Sequence, residues 1–175
     1  MNWLNIIATI VIIIFMATIF GVTYFKNNND QETQKNDIYN TKYISTKDDI
    51  SYIRSGPSKD YPVILTITTK GFPLRVLKIY NEWYNVEDYL GQQGWIFINI
   101  TSKKQTAITL SNNAQIYQNS NTNSKVVAIA KIHYILDFIK CENLGTICKI
   151  EFYHNNNKLT GWISKENIWG GERIN

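Results

Sequence analysis

From Ile50 onward the chain alternates apolar and polar residues in short runs broken by turn residues. The run "ISYIRSGPSKDYPVI" predicts a strand, a turn at Ser55-Gly56-Pro57-Ser58 and a second strand over Tyr61 to Thr68. Lys70-Gly71 makes the next break. "FPLRVLKIY" alternates from Leu74, with Val76 and Lys78 read on one face. Asn81-Glu82 turns into "WYNVEDY", and Leu90-Gly91-Gln92-Gln93 turns into "GWIFINI". No stretch after residue 41 keeps a 3.6-residue apolar period over helical length. The pattern predicts an all-β body.

The same order of segments occurs twice. The second runs through "AQIYQNSNTNSKVVAIA", "YILDFIKC", "ICKIEFYH", a turn at Asn155-Asn156-Asn157 and "GWISKENIW". Val126-Val127 stands where Val63-Ile64 stands in the first. Each copy closes on Gly-Trp-Ile, at Gly94-Trp95-Ile96 and Gly161-Trp162-Ile163, with the tryptophans 162 − 95 = 67 residues apart. Self-similarity at a fixed offset is a statement about architecture. The glycine suits a close backbone approach or a bulge, and the Trp and Ile suit a half-buried strand. On this pattern both tryptophans are expected chiefly in the core, and five short strands per copy suffice for one small closed sheet.

The first 25 residues are different. Trp3 to Phe25 carries no charged side chain. As a helix it spans roughly 34 Å, enough to cross a hydrocarbon layer of about 30 Å. It lacks the basic start, short apolar core and A-x-A site of a cleaved signal, so residues 1–26 are expected to be a retained anchor, with a signal peptide as the competing reading. Orientation is poorly set, because Lys26 sits on the far flank. Residues 27–41, "NNNDQETQKNDIYNT", have too few apolar groups to offset their ordering entropy and are expected to be a flexible linker.

Charge changes the picture little. Beyond Lys26 there are 18 − 1 = 17 basic residues against 14 acidic ones, interspersed along the chain. A nucleic-acid surface would show a stripe of Lys and Arg, so no nucleic-acid partner is expected.

The opening Tyr52-Ile53-Arg54-Ser55-Gly56-Pro57 and the closing Gly-Trp-Ile resemble the bacterial SH3-like (SH3b) family in its tandem exported form. Pro62-Val63-Ile64, Gly71 and Trp83 fall in the family's order. The resemblance covers about Thr41 to Trp169. It implies two SH3-like β-barrels, over residues 42–102 and 103–175, behind the N-terminal hydrophobic helix. Tyr52 stands where the family usually has Asn. The second copy has Tyr117-Gln118-Asn119-Ser120 in place of Arg-Ser-Gly-Pro.

Chemistry-bearing motifs are sparse. The chain has no Gly-rich phosphate loop, no H-E-x-x-H and no G-x-S-x-G, and the pairs Asp48-Asp49 and Glu87-Asp88 read as turn residues. No catalytic residues, cofactor or metal site are expected. Cys141 and Cys148 flank a turn between two strand-like runs, with counterparts near Tyr80 and Tyr84 in the first copy. That placement favours a disulfide, with Cα atoms near 4.5–5.5 Å apart across a hairpin. A reduced pair, or a metal site with His133 or His154, remains open at this stage.

Aromatic residues are the surplus, at 13 % of the chain. Most should fill cores. Tyr52, Tyr61, Trp83 and Trp95, with Arg54 as polar partner, are the candidate ligand-binding residues. The resemblance equally implies an Arg54 that braces the barrel. The resemblance implies an exported, non-catalytic protein at the periplasmic face of the inner membrane or in the cell envelope, held to the membrane by its N-terminal helix. Its expected partner is peptidoglycan or its stem peptide. The alternative is an adaptor or structural component that contacts an envelope protein.

Overall fold

The computed structural model describes residues 43–142 and 145–171. The expected anchor over 1–26 and linker over 27–41 lie outside them. The described residues belong to one compact unit.

Fourteen strands run in sequence: β1 (Tyr43–Thr46), β2 (Ser51–Arg54), β3 (Val63–Ile67), β4 (Pro73–Tyr80), β5 (Trp83–Glu87), β6 (Gln93–Phe97), β7 (Thr101–Ser102), β8 (Thr106–Thr109), β9 (Ala114–Tyr117), β10 (Val126–Ala130), β11 (Ile135–Glu142), β12 (Ile147–His154), β13 (Asn157–Ser164) and β14 (Ile168–Gly170). They make two seven-stranded sheets of the same order, β3-β2-β6-β5-β4-β1-β7 and β10-β9-β13-β12-β11-β8-β14. The described residues hold no α-helix.

Each sheet wraps one core. In the first, Ile44, Ile53, Ile67, Leu74, Val86 and Ile96 come from six different strands and form one buried cluster. A flat sheet could not bring them together. In the second, Ala107, Ile116, Ala130, Leu136, Ile150 and Ile163 do the same. The sheets stay open, however. The order ends at β3 and β7, and at β10 and β14, with no pairing across either gap.

Seven strands replace the five expected. The additions are β1 and β7 in the first sheet, and β8 and β14 in the second. β1 and β8 are buried along their whole length, so neither shows alternation. β7 and β14 are too short to display a period. The final Ile98–Ile100 of "GWIFINI" is a 3-10 turn rather than strand.

One device recurs in both sheets. The Thr46 hydroxyl donates to the Thr69 carbonyl at 2.8 Å and accepts from the Phe72 amide at 3.0 Å. Thr109 does the same with the Lys131 carbonyl (2.5 Å) and the Tyr134 amide (2.9 Å). Both threonines are buried, so these bonds satisfy groups that would otherwise be costly to desolvate. The residues that donate to the two threonine carbonyls are Gly71, at φ +77°, and His133, at φ +63°. The first copy meets this left-handed position with glycine. The second carries histidine there.

The sheets meet where β4 adjoins β8 and β14, with β1 beside them. Gln105 Nε2 donates to the Tyr43 carbonyl (2.9 Å), Ser45 Oγ to Lys104 (2.9 Å) and Thr106 Oγ1 to Gly71 (2.6 Å). The rings of Tyr43 and Trp169 meet edge to face at 5.1 Å. Tyr89 packs on Phe72 and shares a 3.0 Å hydrogen bond with His133.

Cys141 and Cys148 are paired in register on β11 and β12 and form a disulfide, with Cα atoms 3.8 Å apart. The bridge excludes the reduced pair and the metal-ligand reading. The separation is shorter than a relaxed cross-strand pair, and the register corrects the counterpart positions. Ile79 faces Tyr84 where Cys141 faces Cys148, so Ile79, and not Tyr80, is the match for Cys141. The second hairpin is therefore two residues longer than the first.

Candidate functional site

Strand alternation decides which residues of the Gly-Trp-Ile signature face inward. Ile96 and Ile163 are fully buried. Trp95 and Trp162, each one residue earlier in the strand, point to the opposite, outer face and are half-buried. They are not core residues, contrary to the expectation from pattern. Gly94 and Gly161 sit where β6 and β13 cross β2 and β9. A Cβ on Gly94 would fall 2.4 Å from Ile53 Cγ2 and 2.9 Å from the Arg54 carbonyl oxygen, and one on Gly161 would fall 2.4 Å from Ile116 Cγ2. The glycine serves close approach, one of its two expected uses.

On the outer face of the first sheet, Arg54, Trp95, Asn85 and Lys78 are successive Cα partners across β2, β6, β5 and β4. One step along, Phe97, Trp83 and Tyr80 form a parallel row. Lys78 Nζ stands 5.2 Å from the Trp95 ring centroid, and Tyr80 meets Trp95 edge-on at 6.4 Å. Trp83 packs on Phe97 at 5.4 Å, with Lys59 Nζ 5.6 Å over the Phe97 ring. An ammonium over an indole face is held by the ring quadrupole, and more strongly as water is excluded.

Lys78 reaches this face because β4 carries a bulge. The register shifts between Val76 and Lys78, so the two do not share a face as simple alternation implied. Val76 packs on the core, whereas Lys78 is exposed.

The five candidate residues divide. Arg54 Nη1 donates to the Tyr61 carbonyl at 2.7 Å, and the Tyr61 ring lies against Gly56. Arg54 thus braces the 55–62 loop and neighbours Trp95. Trp83 is buried at 8 % exposure under its aromatic neighbours, so it supports the surface rather than offering itself to a ligand. Tyr52 is exposed on the same face of β2, two residues from Arg54, and pairs with Thr66 on β3. Trp95 is the candidate that presents a ring beside a cation. The sequence reading missed Lys59, Lys78, Tyr80 and Phe97. Phe97 was legible, two residues from Trp95 on an alternating strand. Lys78 was hidden by the bulge.

The second sheet repeats the first row with different chemistry. Tyr117 and Lys149 flank Trp162, and Lys140 follows. Lys149 Nζ lies 5.8 Å over the Trp162 ring. In the second row Ser164, Ile147 and Glu142 stand where Phe97, Trp83 and Tyr80 stand in the first.

Beside this face Arg75 is paired with Glu87. The guanidinium holds the Glu87 carboxyl below the usual carboxylate range, by hydrogen bonding first. Burial pushes the Tyr84 phenol upward. Among the described residues no three His, Cys, Asp or Glu side chains come together as a metal site.

Residues 47–103 match the family model described as bacterial SH3 domain, consistent with an SH3b-like domain in the first half of the described chain. No curated protein matches the chain. Among solved structures, NlpC2 from Trichomonas vaginalis aligns at TM-score 0.33 and 10 % identity, covering 73 % of this chain and 47 % of that one. NlpC1 from the same organism aligns at TM-score 0.33 and 11 % identity, covering 73 % and 45 %. The chain thus spans less than half the length of these structures.

Proposed function

We propose that this chain is a non-catalytic binding protein of the bacterial cell envelope that recognises peptidoglycan or its stem peptide through the outer face of its first sheet. The observation that carries the reading is the Lys78 ammonium over the Trp95 ring, with Tyr80 at the ring's edge. A ring and a cation side by side suit a ligand that has an apolar or sugar face next to a carboxylate. The bacterial SH3 domain match over residues 47–103 supports the envelope setting. The Cys141–Cys148 disulfide supports an oxidising compartment, and the uncharged run from Trp3 to Phe25 supports a membrane anchor. The test is co-sedimentation of the full chain with purified sacculi. Trp95→Ala should weaken binding by about ten-fold, equivalent to ~1.4 kcal/mol. Unchanged sedimentation of this variant overturns the reading.

A protein adaptor is the second reading, and it rests on the sheet edges. Val63 and Ile64 on β3, and Val126, Val127 and Ile129 on β10, are exposed apolar residues on terminal strands. Such edges are templates for an added strand.

A further inference from the structure

The same three segments meet in each sheet: the loop after β2 or β9, the start of β5 or β12, and the end of β6 or β13. A matching hydrogen bond marks the equivalence, Ile98 amide to Glu82 carbonyl at 3.0 Å in the first sheet and Lys165 amide to Thr146 carbonyl at 2.9 Å in the second. In the first sheet this place is filled, because Lys59 covers Phe97 and Phe97 packs on Trp83. In the second, Ser164 replaces Phe97 and Ile147 replaces Trp83. The lost ring volume leaves an open cleft of about 720 Å³. That lies within the range of small-ligand sites, roughly 300–1,000 Å³.

The lining has a definite chemistry. Thr122 and Ser164 bring hydroxyls, and Ile147 is the apolar floor. Glu166 brings a carboxylate that makes no ion pair or hydrogen bond among the described residues. The neighbouring cation is turned away, since Lys165 Nζ donates to the Gly170 carbonyl at 3.1 Å. Hydroxyls match the amides of an extended peptide, and an unpaired carboxylate matches an ammonium.

We infer that the second sheet carries its own binding cleft, between the 118–125 loop and the start of β12, for a short polar peptide bearing a free amine. The cleft is a different place from the Trp95 face and takes the opposite charge. The second sheet then does more than pack against the first.

The test is an amide NMR titration of the full chain with acetyl-alanyl-lysyl-alanine amide, and with the same peptide acetylated on the lysine amine. The amine form should shift residues 120–122 and 164–166 and saturate, and the acetylated form should bind at least five-fold more weakly. Glu166→Gln should produce a similar loss. Ser164→Phe installs the residue the first sheet has there and should abolish binding, its spectrum reporting whether the fold is kept. Equal binding of both peptides, shifts confined to Arg54 and Trp95, or no saturable shift at the cleft would overturn the inference. Because the readout is local, failure here is separable from failure of the sacculus test.

Discussion

Cys141 and Cys148 face each other on β11 and β12 in the register that Ile79 and Tyr84 hold on β4 and β5. A core pair in one copy has become a covalent link in the other. The link sits at the mouth of the hairpin that is two residues longer. Reduction should lower stability by about 2–3 kcal/mol in the chain-entropy model for so short a loop. Chemical denaturation with and without reductant measures this. Thiol labelling of the unreduced protein should modify neither cysteine, and quantitative labelling of both would contradict the bridge.

Lys78 is expected to act through its charge. Lys78→Ala should weaken sacculus binding several-fold, and Lys78→Arg should restore most of it, because a guanidinium also sits well over an indole. If Ala and Arg behave alike, the cation above Trp95 has no part in binding.

Gly94→Ala should destabilise the first sheet by about 1–3 kcal/mol, the usual range for overpacking. The added carbon would lie within 3 Å of Ile53, Ile64 and the Arg54 carbonyl oxygen. Gly161→Ala should act in the same direction, with Ile116 Cγ2 at 2.4 Å. Thermal melts decide, and an unchanged midpoint for Gly94→Ala would refute the close approach.

Thr46→Val and Thr109→Val keep shape but remove a hydroxyl that both donates and accepts. Each should cost about 0.5–1.5 kcal/mol for each of the two hydrogen bonds lost. Thr→Ser at either position should be milder. Denaturation of the four variants separates hydrogen bonding from packing.

Glu87 gives an acid-side dependence. Its folded-state pKa lies below its unfolded value because of Arg75. Its contribution is therefore fully present above the unfolded pKa and is lost as pH falls through the lowered one. Wild type should lose stability on acidification below the usual carboxylate range, and Glu87→Gln should lose less across the same interval. Parallel curves for the two proteins would remove Glu87 from the account.

The repeat was legible because β2, β3, β5, β6 and their partners alternate in the open, and Gly-Trp-Ile closes each copy. The face of the tryptophan was not legible. An isolated Trp-Ile pair states that two residues point oppositely, and only the core it packs on says which points in. Ile96 and Ile163 took the core, and the rings went outward. β1 and β8 were missed for the reverse reason. Buried on both sides, with threonines bonded to carbonyls, they have no polar face to alternate with an apolar one. Lys78 was placed on the wrong face because one extra residue in β4 inverts everything beyond it. Arg54 was expected to bind a ligand or to brace the barrel, and only the geometry shows its bond to the Tyr61 carbonyl in the following loop.

The seam between the sheets bears on what a fragment of this protein would be. Tyr43 and Ala107 are almost wholly covered, and Gln105, Thr106 and Gly71 are stitched across the junction. Cutting the chain between β7 and β8 would strip Tyr43 of Trp169 and leave the Gly71 carbonyl without its hydroxyl donor. Each half would enter solution with a raw apolar flank. The repeat is therefore two in sequence, with each half covering part of the other along one shared seam.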